Sequence, residues 1–117
     1  MSDRRDRFIA RVSTVGWGTR ESIQALLGAV VTDVREGVVR GRYREHEMDE
    51  VVAFHDRAEE LWRRTIATNP PIAVNEIIIR LEDLVEACRA PALSEYEPRL
   101  ARGLRDARTL EEAKRKG

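Results

Sequence analysis

Apolar residues recur three and four positions apart along almost the whole chain. That spacing keeps them on one face of a helix turning through about 100° per residue, and it leaves no alternating stretch long enough for a strand. Phe8, Ile9, Val12 and Val15 share the first such face, with Ser2 as a candidate N-cap. Gly16-Trp17-Gly18 interrupts the pattern, Thr19 can cap the next helix, and Trp17 reads as a plug over the end of a core. A second helix from about Arg20 carries Ile23, Leu26, Leu27, Val30, Val34 and Val38, with Gly28 and Ala29 permitting close helix approach on its flanks. It stops at Glu36-Gly37 or runs past Gly37 toward Gly41.

A third helix is expected over 46–68, its stripe formed by Met48, Val51, Val52, His55, Ala58, Trp62 and Ile66 and broadened by Phe54 and Leu61. Asn69-Pro70-Pro71 ends it and opens a fourth over about 70–89, with Asn69 as N-cap and Val74, Ile77, Ile78, Leu81, Leu84, Val85 and Cys88 inward. Ser94-Glu95-Tyr96-Glu97 has the form of a capping box. The fifth helix behind it places Tyr96, Leu100, Leu104, Ala107 and Leu110 on one side, and Thr109-Leu110-Glu111-Glu112 offers a kink or restart. The expected fold is therefore all-α: an antiparallel bundle of four to five helices, in one compact domain over 1–110 with a protruding C-terminal helix and a frayed basic tail over 111–117.

Composition narrows the setting. A chain of 117 residues suits one domain and can bury a core without a metal or disulfide staple. At 36% charged and 42% hydrophobic it is too apolar for disorder and too polar for a membrane span. The charged start Asp3-Arg4-Arg5-Asp6-Arg7 leads into no signal-peptide core, and Cys88 is the one cysteine, so a cytoplasmic location is expected. Arginine outnumbers lysine 19 to 2, the codon bias of a GC-rich genome, which suits a bacterial or phage accessory protein.

Twenty-one basic and twenty-one acidic residues cancel, yet not locally. Residues 1–44 carry +4, residues 45–97 carry −8 and residues 98–117 carry +4. Adjacent helices of opposite sign would account for this at about 0–1 kcal/mol per exposed pair. Basic ends meeting the acidic middle of another copy would account for it too.

Chemistry has few candidates. His55 and Glu59 lie four apart beside an apolar stripe, a spacing that can hold a metal or orient an imidazole; a half-buried histidine satisfied by a glutamate is the simpler reading, because no second helix offers an inward ligand. Glu47-x-x-Glu50 and Asp83-x-x-Glu86 carry the spacing of magnesium-binding helices, but their carboxylates project outward rather than converge. Cys88 falls on an apolar stripe, and no nucleophile elbow, phosphate loop or dinucleotide fingerprint occurs. No enzyme activity, cofactor or small-molecule substrate is expected.

Binding surfaces remain. Arg99, Arg102, Arg105 and Arg108 form a basic ridge, partly offset by Glu95 on Arg99 and Asp106 on Arg102 at helical spacing. Arg35, Arg40, Arg42 and Arg44 form a second cluster beside Tyr43. Both could contact nucleic-acid phosphates, against a neutral total and without a recognition helix. Ile72 and Ile79, one heptad apart with Glu76 between, project onto a polar helix side and could seed a helix–helix contact. The leading expectation is a protein–protein module that also binds itself, with nucleic acid as the second choice and no membrane.

Overall fold

A computed structural model describes residues 16–116, the side chains of 16–19 and 116 excepted. The helical face expected around Phe8 and Val12, with its Ser2 cap, lies outside the described residues, as does the side chain of Trp17. The described chain is all-α, without a strand: α1 (Gly16–Val39), α2 (Met48–Ile66), α3 (Val74–Ala87) and α4 (Glu97–Lys116), with 3-10 turns at Glu45–Glu47 and Pro91–Tyr96. No described helix is long and apolar enough to cross a membrane.

Helix α1 packs on α2 along one flank and on α4 along the other, and α3 leans chiefly on α4, with a thinner seam to α2. Contact pairs along the α1–α2, α1–α4 and α2–α3 seams share one pattern, in which numbers rise on one helix as they fall on its neighbour. Gly28 meets Trp62 while Arg35 meets His55; Leu26 meets Gly103 while Asp33 meets Tyr96; Arg64 meets Glu76 while Glu60 meets Arg80. Having two large partners widens the inward arc of α1. Val31 is fully buried beside the expected Ile23, Leu27, Val30 and Val34, whereas Leu26 and Val38 are partly buried at the edges.

Close approach is visible at two glycines. The Trp62 indole lies over Gly28, where an added Cβ would sit 3.0 Å from Nε1, and at Gly103 a Cβ would fall 2.5 Å from Leu26 Cδ2. The buried row of α2 is Val51, Phe54, Ala58, Leu61 and Thr65. This corrects the expected stripe: Val52 and Ile66 are exposed, because the true row is rotated toward Phe54 and Leu61.

Several boundaries also differ from expectation. Gly16-Trp17-Gly18 does not break the chain but opens α1, because a first turn lacks most intrahelical N–H partners and glycine costs little there. Helix α1 passes through Gly37 and closes on a Schellman motif around Gly41. The Arg42 amide donates to the Gly37 carbonyl at 2.8 Å and the Gly41 amide to Val38 at 3.1 Å. Gly41 has φ +72° and no atom near its absent Cβ. Gly41→Ala is therefore expected to cost about 1–2 kcal/mol through backbone conformation alone, read as a lower urea midpoint with unchanged slope.

Helix α3 starts at Val74 after Ala73, so Asn69 is not its cap; the Asn69–Pro70 bond is cis and 67–73 is a loop. The Arg20 guanidinium pins that loop through the Ile72 carbonyl at 2.9 Å. Ser94 caps nothing on α4; its hydroxyl donates back to the Pro91 carbonyl at 3.0 Å within the 3-10 turn. Thr109 neither kinks nor restarts α4, since its hydroxyl returns to the Arg105 carbonyl at 3.0 Å and the helix runs on through 111–116.

Candidate functional site

The sequence candidates separate in space. His55 and Glu59 face Arg35 of α1. The Arg35 Nε donates to His55 Nε2 at 2.9 Å, and its guanidinium pairs with the Glu59 carboxylate, which Arg63 also reaches at 3.6 Å. Because His55 Nε2 accepts, Nδ1 carries the imidazole proton and points at Asp56 Oδ1, 3.0 Å away. Both ring nitrogens and the carboxylate are thus committed to a clamp between α1 and α2. No group of three His, Cys, Asp or Glu side chains gathers among the described residues.

The two basic clusters fare differently. Arg40 pairs with Glu36 at 2.8 Å, and Arg42 reaches Asp33 at 3.2 Å and Glu95 at 3.9 Å. With Arg35 held by Glu59, only Arg44 of that cluster has a side chain without an ion pair among the described residues. On α4, Arg108 reaches Glu82 of α3 at 2.9 Å. Arg99, Arg102 and Arg105 make no ion pair or hydrogen bond among the described residues. The expected offsets are corrected here: Glu95 turns to Arg42, and Asp106 forms no ion pair with Arg102. A groove of about 440 Å³ separates α1 from α4 at this point, lined by Ser22, Ala25, Leu26, Arg99, Arg102 and Asp106.

Ile72, Ile79 and Glu76 do not form one surface. Ile72 precedes α3 and is 4% exposed, a core residue; the later helix start removes the heptad relation that placed it outside. Ile79 is exposed alone. Glu76 takes a bidentate pair from Arg64, with Arg80 at 3.3 Å, and these hydrogen bonds hold its carboxyl below the usual range. With Arg80 to Glu60 at 3.5 Å, this ladder bridges the thin α2–α3 seam. Cys88 is buried, and burial pushes its thiol up to about 11, too high for a nucleophile at neutral pH. Asp83 is exposed, Glu86 pairs with Arg89 at 3.2 Å, and Glu47 accepts the Arg44 amide at 2.8 Å, so the two acid pairs stay apart.

One constellation is not visible from spacing. The Tyr96 hydroxyl donates to Asp33 Oδ2 at 2.6 Å. Its single proton being used there, the Tyr43 hydroxyl is the donor in the 3.0 Å contact between the two tyrosines. The Tyr96 hydrogen bond, with Arg42 behind it, holds the Asp33 carboxyl below the usual range against the opposing effect of burial. Burial first, then the Asp33 contact, raises the phenol of Tyr96, which stays a neutral donor. Its ring stacks on Phe54 at 5.8 Å. Gly37 makes room for Tyr43, since a Cβ there would lie 2.8 Å from its ring. The network joins α1, α2, the 40–44 turn and the 3-10 turn before α4; nothing in it converges on an open site.

The open apolar surface lies at the C-terminal end of α1. Val38, Val39, Val52, Arg35 and His55 line a hollow of about 250 Å³, in which Val39 is 85% and Val52 43% exposed. Comparison with protein-family models, with curated proteins and with solved structures finds no match to this chain.

Proposed function

We propose that this chain is a non-enzymatic protein–protein interaction module of the cytoplasm, built as an antiparallel four-helix bundle and able to bind a second copy of itself. The observation that carries the reading is the Val38–Val39–Val52 hollow, where apolar side chains stay in water at the α1–α2 seam. Burying a valine recovers up to about 1.5–3 kcal/mol, so covering Val39 and Val52 rewards association. Side chains around the hollow are clamped by the Arg35–His55–Glu59 contacts, which present it as a preformed surface. Arg102 and Arg105, which make no ion pair among the described residues, offer basic charge that an acidic face of another molecule can meet. A buried, unreactive Cys88 suits a reducing compartment.

Light scattering behind a sizing column tests self-association. The expected result is a dimer or larger species at high protein concentration, with Val39→Asp shifting it to monomer. A monomer at every concentration and salt level would overturn the reading. The Arg99–Arg102–Arg105 ridge supports nucleic acid as a second reading. It predicts that labelled single strands or duplex bind at low salt and that Arg99→Glu/Arg102→Glu abolishes binding. No binding at low ionic strength would end it.

A further inference from the structure

The clamp between α1 and α2 is built on an imidazole with no proton on Nε2. That atom accepts the Arg35 Nε–H at 2.9 Å, and the one ring proton sits on Nδ1, 3.0 Å from Asp56 Oδ1. A second ring proton has only Nε2 to go to. There it sets N–H against N–H and one cation against another, so this contact holds only while the ring is neutral. His55 is also a wall of the Val38–Val39–Val52 hollow, where a second ring proton brings charge to an apolar surface.

We propose that His55 is a proton-operated latch on the C-terminal end of α1. Neutral, it fastens Arg35 against α2. Protonated, it releases Arg35 and turns to Glu59, four residues on along the same helix face. The latch stands on the clamp alone. Its consequence, that acid weakens self-association, rests on the reading of the hollow as the surface where a second copy binds. Covering the hollow then means taking an imidazolium out of water, which costs far more than covering a neutral ring.

The surrounding charges allow the exchange. Arg35 is the half-exposed partner of its pair with Glu59, so its guanidinium passes to water at little cost. The more enclosed Glu59 keeps Arg63 at 3.6 Å and gains the imidazolium. Asp56 stays on Nδ1 in either state. Elsewhere on α1, Arg40 is turned to Glu36 at 2.8 Å. Helix α3 brings Glu76 and Arg80 to Arg64 and Glu60, which lie about 140–180° round α2 from His55 at about 100° per residue. His46, with Glu45 and Glu47, stands in the turn ahead of α2, more than two helical turns from His55. The ring thus answers to Arg35 from one helix and to Asp56 and Glu59 from its own.

The latch is read on the full chain at low concentration by NMR. The Arg35 Nε–H chemical shift, identified by its loss in Arg35→Lys, is expected to move toward that of a solvated arginine at the same midpoint at which the His55 ring titrates. In His55→Gln, whose amide oxygen still accepts from Arg35 and does not titrate, it is expected to stay put. A shift that ignores the His55 midpoint, or that moves equally in His55→Gln, overturns the latch. Light scattering tests the consequence. Self-association is expected to weaken about ten-fold or more from pH 8 to pH 5.5, the range in which histidine ordinarily changes charge, in the parent chain and in His46→Gln but not in His55→Gln. No acid loss in the parent, or equal loss in all three, breaks the link between His55 and association. A chain that stays monomeric at every pH while the Arg35 signal follows His55 refutes the reading of the hollow and leaves the latch standing.

Discussion

Replacing Tyr96 with alanine is expected to cost about 3–5 kcal/mol, and replacing it with phenylalanine about 1–3 kcal/mol. The two values separate the role of the ring from that of the hydroxyl. Alanine removes a fully buried ring and its stacking on Phe54, leaving a cavity where α1, α2 and the start of α4 meet. Phenylalanine keeps the packing but takes the proton from Asp33 and the acceptor from Tyr43. The hydroxyl loss carries a pH signature. Because the folded state holds the Asp33 carboxyl below its usual value, its contribution is present above the unfolded carboxylate range, near pH 3.9, and is lost as pH falls through the lower folded value. Urea midpoints measured from pH 7 down to pH 2 should show a steep acid loss in the parent chain and a shallower one in Tyr96→Phe. Equal slopes in both would remove Asp33 as the carrier of the network.

Periodicity alone supplied most of the core. The rows Ile23–Leu27–Val30–Val34, Ile77–Leu81–Leu84–Cys88 and Tyr96–Leu100–Leu104–Ala107 are buried as their spacing requires, because each helix presents a stripe to a neighbour. On α2 the choice between Val52 and Phe54 could not be made from spacing. Both fall within a broad apolar arc, and only the direction of α1 decides that Val52 faces out. The boundary errors share a cause. Asn69, Ser94 and Thr109 all have the right chemistry for a cap, yet no helix starts behind them: Asn69 lies within the 67–73 loop, the Ser94 hydroxyl returns to the Pro91 carbonyl inside the 3-10 turn, and the Thr109 hydroxyl returns to the Arg105 carbonyl inside α4. Ile72 was misplaced by the same route, since an earlier helix start would have turned it outward.

Surface chemistry was legible as charge but not as pairing. The basic cluster at Arg35–Arg44 looked like a phosphate footprint, and its partners Glu59, Glu36, Asp33 and Glu95 come from positions up to 53 residues away in number, as Arg42 to Glu95 shows. No helical-spacing rule reaches that far. Tyr43, two residues beyond Gly41, lies back over its own helix at Gly37. Gly37 on the apolar face of α1 marked the space it would need.

Leu81→Ala is expected to destabilise by about 2–5 kcal/mol and to lower the melting temperature by more than about 10 °C. Leu81 is fully buried and stands behind Gly103, where its Cδ1 would lie 4.0 Å from an added Cβ and Leu26 of α1 would lie closer still. It therefore fills the point at which α1, α3 and α4 meet. The consequence should not spread evenly. Helix α3 depends on α4 for most of its packing, while its seam with α2 is thin and bridged by half-exposed, solvent-screened pairs such as Arg64–Glu76 and Arg80–Glu60, which add little. Removing Leu81 takes apolar contact from the strong side and leaves α3 hanging on the weak one. Hydrogen exchange should report this directly, with amides of 78–87 losing protection at denaturant concentrations where those of 27–39 and 51–61 keep theirs. Uniform loss across α1–α4 would mean that the four helices open as one cooperative unit and that the thin α2–α3 seam gives α3 no separate opening.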